Sequence, residues 1–199
     1  MADKPTDPQI YEHPVISKGT AEHLVRELIQ FIGDDPDREG VQGTPARVVK
    51  SWKEIFGGYA MDPVKVLGTT FEKAGYDQMV ICKDIEMFST CEHHMIPFIG
   101  KVHIGYIPGD RVVGLSKLAR LVEVFSRRLQ IQEKMTQQIA DAMESVLRPK
   151  GVIVVVTAKH LCMCARGVQK QHSEMVTSAI KGQFVDPDVR SEFLALIRG

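Results

Sequence analysis

"VICKDIEMFSTCEHHMIPFIGKVHIGYI", residues 80 to 107, carries two patterns at once. Apolar residues alternate at Val80 and Cys82, then at Ile85 and Met87, and again at Val102, Ile104 and Tyr106. A period of two predicts a pair of strands, with "CEHHMIPFIG" (91–100) as the turn region between them. That turn region sets a thiol, a carboxylate and two imidazoles side by side. Cys and His bind zinc, and His also moves protons near neutral pH, so the stretch raises a metal question and an acid-base question together. Cys91 and His94 are three residues apart, and ideal strand alternation sends their side chains to opposite faces. If both hold one ion, the segment must bend, and Pro97 and Gly100 favour a bend.

Working outward, residues 1 to 18 are polar and contain proline, which predicts a flexible N-terminal tail. From Thr20, read as an N-cap, Leu24, Val25, Leu28, Ile29 and Ile32 recur with helical spacing until Gly33. A second helix is expected from Thr44-Pro45 through Val48, Val49, Trp52, Ile55 and Phe56 to Gly57-Gly58. Residues 19–60 thus form a helical segment and 61–199 a second domain. Ser116 is expected to cap a helix carrying Leu118, Leu121, Val122, Phe125 and Leu129, followed by another through Met135, Ile139, Met143 and Val146. "GVIVVVTAKHLCMCARG" (151–167) and "SEMVTSAIKGQF" (173–184) return to strand, and Asp186-Pro187 opens a closing helix. The order α-α, β-β, α-α, β-β, α predicts an α+β class with an antiparallel sheet and helices on one face.

Composition limits the partners. The 199 residues are 44% hydrophobic with equal numbers of acidic and basic side chains, so the formal net charge is zero. That argues against broad attraction to nucleic acid or an anionic membrane. The N-terminus lacks the apolar run of a signal peptide, and "VIVVV" (152–156) is too short to span a bilayer. Cys82, Cys91, Cys162 and Cys164 therefore read as reduced thiols or metal ligands in a cytoplasmic protein.

If the strand beginning at Gly151 continues, His160, Cys162, Cys164 and Arg166 share one parity and one face, which can meet the bend at Cys91. Three readings then stand. Cys91, His94, Cys162 and Cys164 close a structural four-ligand zinc site; three of them bind the ion and water completes an open, catalytic site; or the thiols are ordinary buried side chains. His93 and His160 adjoin the proposed ligands, and spare proton carriers suit a catalytic site better than a structural one.

"STCEHHMIPFIGKVHIGYIP", "VVGLSKLARLVEVFSRRLQIQEKMTQQI", "HLCMCARGVQK" and "TPARVVKSW" closely resemble the GTP cyclohydrolase I family, from about residue 20 to the C-terminus. The resemblance implies the tunnelling fold, a β-β-α-α-β-β unit whose sheets join into a barrel across subunits, in a decamer of two pentamers. It implies hydrolytic opening of the GTP imidazole ring at C8, loss of formate and closure to 7,8-dihydroneopterin triphosphate. Residue by residue, it implies Cys91, His94 and Cys162 as ligands of Zn2+, and His93 and His160 in water activation and proton transfer. Cys164 falls where the family pattern does not demand cysteine. Glu133 matches the guanine-binding glutamate, with Gln132 beside it, although from pattern alone both simply begin a solvated helix. Ser116, Lys117, Arg120 and Arg166 match triphosphate contacts, joined by Arg47 and Lys50 from the helical segment. Two other classes are a zinc-stabilised nucleotide-binding module and a thiol-dependent deazapurine enzyme of the same fold. The first needs no spare histidines, and the second needs a dinucleotide fingerprint that the sequence lacks.

Overall fold

The structure is a computed structural model and describes residues 16–198. Most of the expected N-terminal tail lies outside the described residues. The chain divides between Lys53 and Glu54 into two compact units. The elements in order are α1 (Lys18–Phe31), α2 (Thr44–Ile55), a 3-10 turn (Gly57–Ala60), α3 (Pro63–Leu67), β1 (Thr70–Glu72), β2 (Val80–Cys91), β3 (Pro97–Ile107) and β4 (Arg111–Val113). There follow α4 (Leu115–Ser126), β5 (Leu129–Gln130), α5 (Gln132–Leu147), β6 (Gly151–His160), α6 (Leu161–Cys164), β7 (Met175–Gly182), a second 3-10 turn (Gln183–Val185) and α7 (Pro187–Arg198).

In the first unit, α1 begins earlier than the sequence suggested. Ser17 is the cap, its Oγ accepting the Thr20 N–H at 3.1 Å, so Thr20 is already helical. Val25, Ile29, Val41 and Val49 form this unit's own small core, with Ala21, Val48 and Trp52 against it. Gly33 takes a φ of +90°, where glycine has no Cβ to clash, and ends the α1 run.

The second unit is α+β. Its main sheet has the order β5-β2-β3-β6-β7, antiparallel throughout except that the two-residue β5 runs parallel to β2. β1 and β4 form a separate antiparallel pair. The change of parity in β2 has a structural cause. Pairing jumps from Cys82 opposite Ile104 to Ile85 opposite Val102, a bulge in which Asp84 adopts a φ of +58°. The extra residue lets Cys82, on one side of the bulge, and Ile85, Met87 and Cys91, on the other, all meet the same core. Without it, Cys91 would face away from α4 and α5.

That core is built from the even-numbered side chains of β3 and β6, such as Val102, Ile104, Val154 and Val156, packed under Leu118, Leu121 and Val122 of α4 and Met135, Ile139 and Met143 of α5. The expectation of helices on one face holds for α4 and α5 but not for α7. Phe193 of α7 joins Ile107, Ile153, Val155 and Phe184 in a second cluster on the opposite face. Gly105 permits this, because a Cβ there would stand 2.7 Å from the Phe193 ring. Among the described residues, no helix is long and apolar enough to cross a membrane.

Candidate active site

β2 ends at Cys91 and the chain doubles back at once. The Cys91 N–H donates to the Ile96 carbonyl at 2.9 Å and the Met95 N–H donates to the Cys91 carbonyl at 2.8 Å. Met95 sits in the left-handed region with a φ of +54°. β5 clamps the outer side of the turn, the Gln130 carbonyl accepting the Glu92 N–H at 3.0 Å. This is the required bend. It leaves the Cys91 Sγ 3.8 Å from His94 Nδ1 and 3.9 Å from His93 Nδ1.

The second half of the site departs from the continuous strand expected through Arg166. β6 stops at His160 and the chain coils into α6, so His160, Cys162, Cys164 and Arg166 do not share a strand face. The helical turn separates the two thiols. Cys162 meets Cys91 and His94, with one ligand atom from each lying within 4.8 Å of the other two. Cys164 is buried elsewhere, its Sγ–H donating to the Lys170 carbonyl at 3.4 Å.

The trio fits a zinc-type ion. A tetrahedral ion with Zn–S near 2.3 Å and Zn–N near 2.0 Å needs a sulfur–nitrogen edge of about 3.5 Å, and the Cys91–His94 spacing of 3.8 Å is within about 0.3 Å of it. Electrostatics point the same way. Burial, then the adjacent Cys91 sulfur, push the Cys162 thiol up, while the Arg166 guanidinium pulls it down. A cation shared with Cys91 would relieve the cost of ionising Cys162.

The two other histidines flank this group differently. His93 is exposed, its ring 6.3 Å from that of His94 with planes 80° apart. His160, at the end of β6, is paired in register with Phe98 of β3 and stacked on its ring, centroids 4.6 Å and planes 4° apart. Its Nε2 lies 2.8 Å from Gln132 Oε1. Burial pushes the His160 imidazole below its ordinary range, and the Glu133 carboxylate partly opposes this.

Gln132 and Glu133 open α5 in contrasting ways. Glu133 is exposed in the first helical turn, whereas Gln132 is wholly buried, its amide engaged with β6 and β7. Gln132 therefore neither begins a solvated helix nor presents a free amide to a base. Ser116 is not the cap of α4; Gly114 holds that position, and Ser116 stands exposed in the first turn. Ser116 and Arg120 line a cavity of about 450 Å³ with Ile85, Glu86, Ala119 and Glu123. Lys117, half-buried, lies between them on α4, and Arg166 is exposed just beyond α6. Arg47 and Lys50 lie on α2 in the first unit, lining a cavity of about 300 Å³ with Lys18 and Lys53. Sequence reasoning missed Phe98, Thr136 and Thr177, which support His160 directly or through Gln132. They are partners across the sheet and helix, and no local pattern reveals them.

A family model described as GTP cyclohydrolase I matches residues 21–198. A protein of Wolinella succinogenes named GTP cyclohydrolase 1 is 60% identical over 178 residues, covering 89% of this chain and 95% of that protein. Proteins of the same name from Brucella canis and Brucella suis are each 53% identical over 188 residues, 94% of this chain and 88% of theirs. Among solved structures, an archaeosine synthase QueF-like protein in its apo form matches with a TM-score of 0.45 and 18% identity, over 54% of this chain and 96% of that one.

Proposed function

The chain belongs to the GTP cyclohydrolase I family, and from that premise we propose which of its residues carry the reaction. The enzyme converts GTP and water to 7,8-dihydroneopterin triphosphate and formate, a hydrolysis of a cyclic amidine. The observation that carries the assignment is the meeting of Cys91, His94 and Cys162, with His93 in reach of Cys91.

Cys91, His94 and Cys162 would hold zinc, for which two sulfurs and an imidazole are apt donors. When bound, zinc supplies Lewis acidity toward water at neutral pH. His93 and His160 take up and return the protons that opening the ring at C8 requires. Glu133 reads guanine: a carboxylate only accepts, and N1–H and N2–H are adjacent donors. Ser116 in the first turn of α4, where free N–H groups favour an anion, holds the triphosphate with Lys117, Arg120 and Arg166. Arg47 and Lys50 complete that set by family correspondence.

Family membership also supports the tunnelling fold and a decamer of two pentameric rings. Strand edges favour such joining: among the described residues β7 has one neighbour, β6, and β5 covers only the end of β2. Four free cysteines suit a reducing cytoplasm. The deciding experiment is incubation of the purified protein with GTP, with and without a chelator, followed by assay for formate and for a fluorescent pterin after oxidation. Both products should form, and chelation should suppress both; absence of both with metal present overturns the assignment.

A further inference from the structure

Gln132 is fully buried, and its hydrogen bonds fix which way its amide points. One amide atom lies 3.1 Å from the Val156 carbonyl, 3.0 Å from the Met175 carbonyl and 3.1 Å from Thr177 Oγ1. The carbonyls can only accept. Thr136 gives its single hydroxyl proton to the main-chain carbonyl of Gln132 at 2.7 Å, so in its 2.7 Å contact with Thr177 it accepts and Thr177 donates. Thr177 has then spent its proton as well, and toward the amide it too can only accept. All three neighbours being acceptors, that atom is the NH2 group, and the opposite orientation would set an oxygen against two carbonyls. The amide oxygen therefore faces His160, 2.8 Å from Nε2.

An amide oxygen has no proton to give, so His160 Nε2 must carry one. We propose that Gln132 is a positioning residue: it holds His160 protonated at Nε2, so that proton exchange during the reaction runs through Nδ1. Phe98, stacked at 4.6 Å with planes 4° apart, fixes the plane of the ring, and Gln132 fixes its rotation within that plane. Neutral histidine otherwise exchanges between two tautomers, and selecting one keeps the lone pair where the reaction uses it. Among the described residues, Nδ1 has no hydrogen-bond partner. This role replaces the substrate contact expected for Gln132 from its place beside Glu133.

The proposal rests on reading His160 as a proton carrier, and the test separates the two. Magic-angle-spinning 15N spectra of the zinc-loaded wild-type enzyme, labelled at the histidine ring nitrogens and assigned by difference from His160→Asn, should show His160 protonated at Nε2. An Nδ1–H tautomer in the wild type overturns the proposal without recourse to any Gln132 variant. Gln132→Met, similar in length but lacking the amide, should mix the tautomers and lower kcat roughly 10- to 100-fold, as loss of an orienting partner does elsewhere. Its KM for GTP should stay within about twofold, and zinc content should be unchanged. In a His160→Asn background, Gln132→Met should cost nothing further, because the residue acts only through His160. Equal losses in both backgrounds, or a raised KM with unchanged kcat, overturn the proposal. A wild-type rate in His160→Asn instead overturns the role of His160 itself, whatever the spectra show.

Discussion

Cys91 and His94 bring Sγ and Nδ1 to 3.8 Å although a strand would point them to opposite sides, because β2 ends at Cys91 and the chain turns back at once, with the Met95 N–H closing the turn onto the Cys91 carbonyl. A metal group so built depends on three side chains. Cys91→Ser, His94→Ala and Cys162→Ser should each lose bound zinc and activity, whereas Cys164→Ser, which gives up only a long contact to the Lys170 carbonyl, should keep both. Metal analysis of the purified variants decides it. Loss of the metal in Cys164→Ser alone would restore the closed four-ligand site.

His93 reaches Cys91, and His160 precedes Cys162 by two residues, but neither belongs to the metal group. His93→Ala and His160→Ala should retain zinc while turnover falls roughly 100-fold or more, the usual scale for removing a general acid or base. Wild-type turnover in either removes that residue from proton transfer.

Glu133, exposed at the start of α5, should decide base preference. Charge-assisted hydrogen bonds contribute about 1.5 to 3 kcal/mol each, so ATP, lacking both donors, should be worse by orders of magnitude. Inosine triphosphate keeps N1–H but not the amino group and should fall between. In Glu133→Ala, GTP should lose most of its advantage over inosine triphosphate. Comparing kcat/KM for the three nucleotides in both proteins tests this, and an unchanged preference shows that other groups read the base.

Phe193 of α7 packs directly against Gly105 of β3. Gly105→Ala places a methyl 2.7 Å from the Phe193 ring and 2.9 Å from Ile153 Cγ2, so denaturant melts should show a loss of about 1 to 3 kcal/mol. Adding Phe193→Leu should cost less than the two changes separately, since the clash is shared.

In the first unit, the Asp34 carboxyl is held down to about 2, first by hydrogen bonds from Arg38 and then by the Asp35 N–H. A carboxyl depressed on folding adds stability above its unfolded pKa, near 3.9, and that stability is lost as pH falls through the folded value. The melting-temperature gap between wild type and Asp34→Asn should be constant above about pH 5, shrink below that and close only below about pH 2. High salt should shrink it, because the pair is exposed. A gap that widens on acidification contradicts the assignment.

The sequence alone determined the alternation of strand and helix and the kinds of residue at the metal group. Both are local: strand and helix periods are written in consecutive residues, and the thiols and imidazoles cluster within a few positions. It even carried the bulge, as the parity switch between Cys82 and Ile85, without saying what the switch was. Only the tertiary structure decided that α6 coils where a strand was expected, bringing Cys162 to Cys91 and burying Cys164 apart from them. The same holds for α7 on the far face of the sheet and for Gln132 behind His160. The physical reason lies in who supplies the partners. The Gln132 amide is oriented by carbonyls of β6 and β7, and the His160 ring by Phe98 of β3. Those groups are neighbours only because long-range strand pairing and burial bring them together, and no period within one segment records a partner supplied by another.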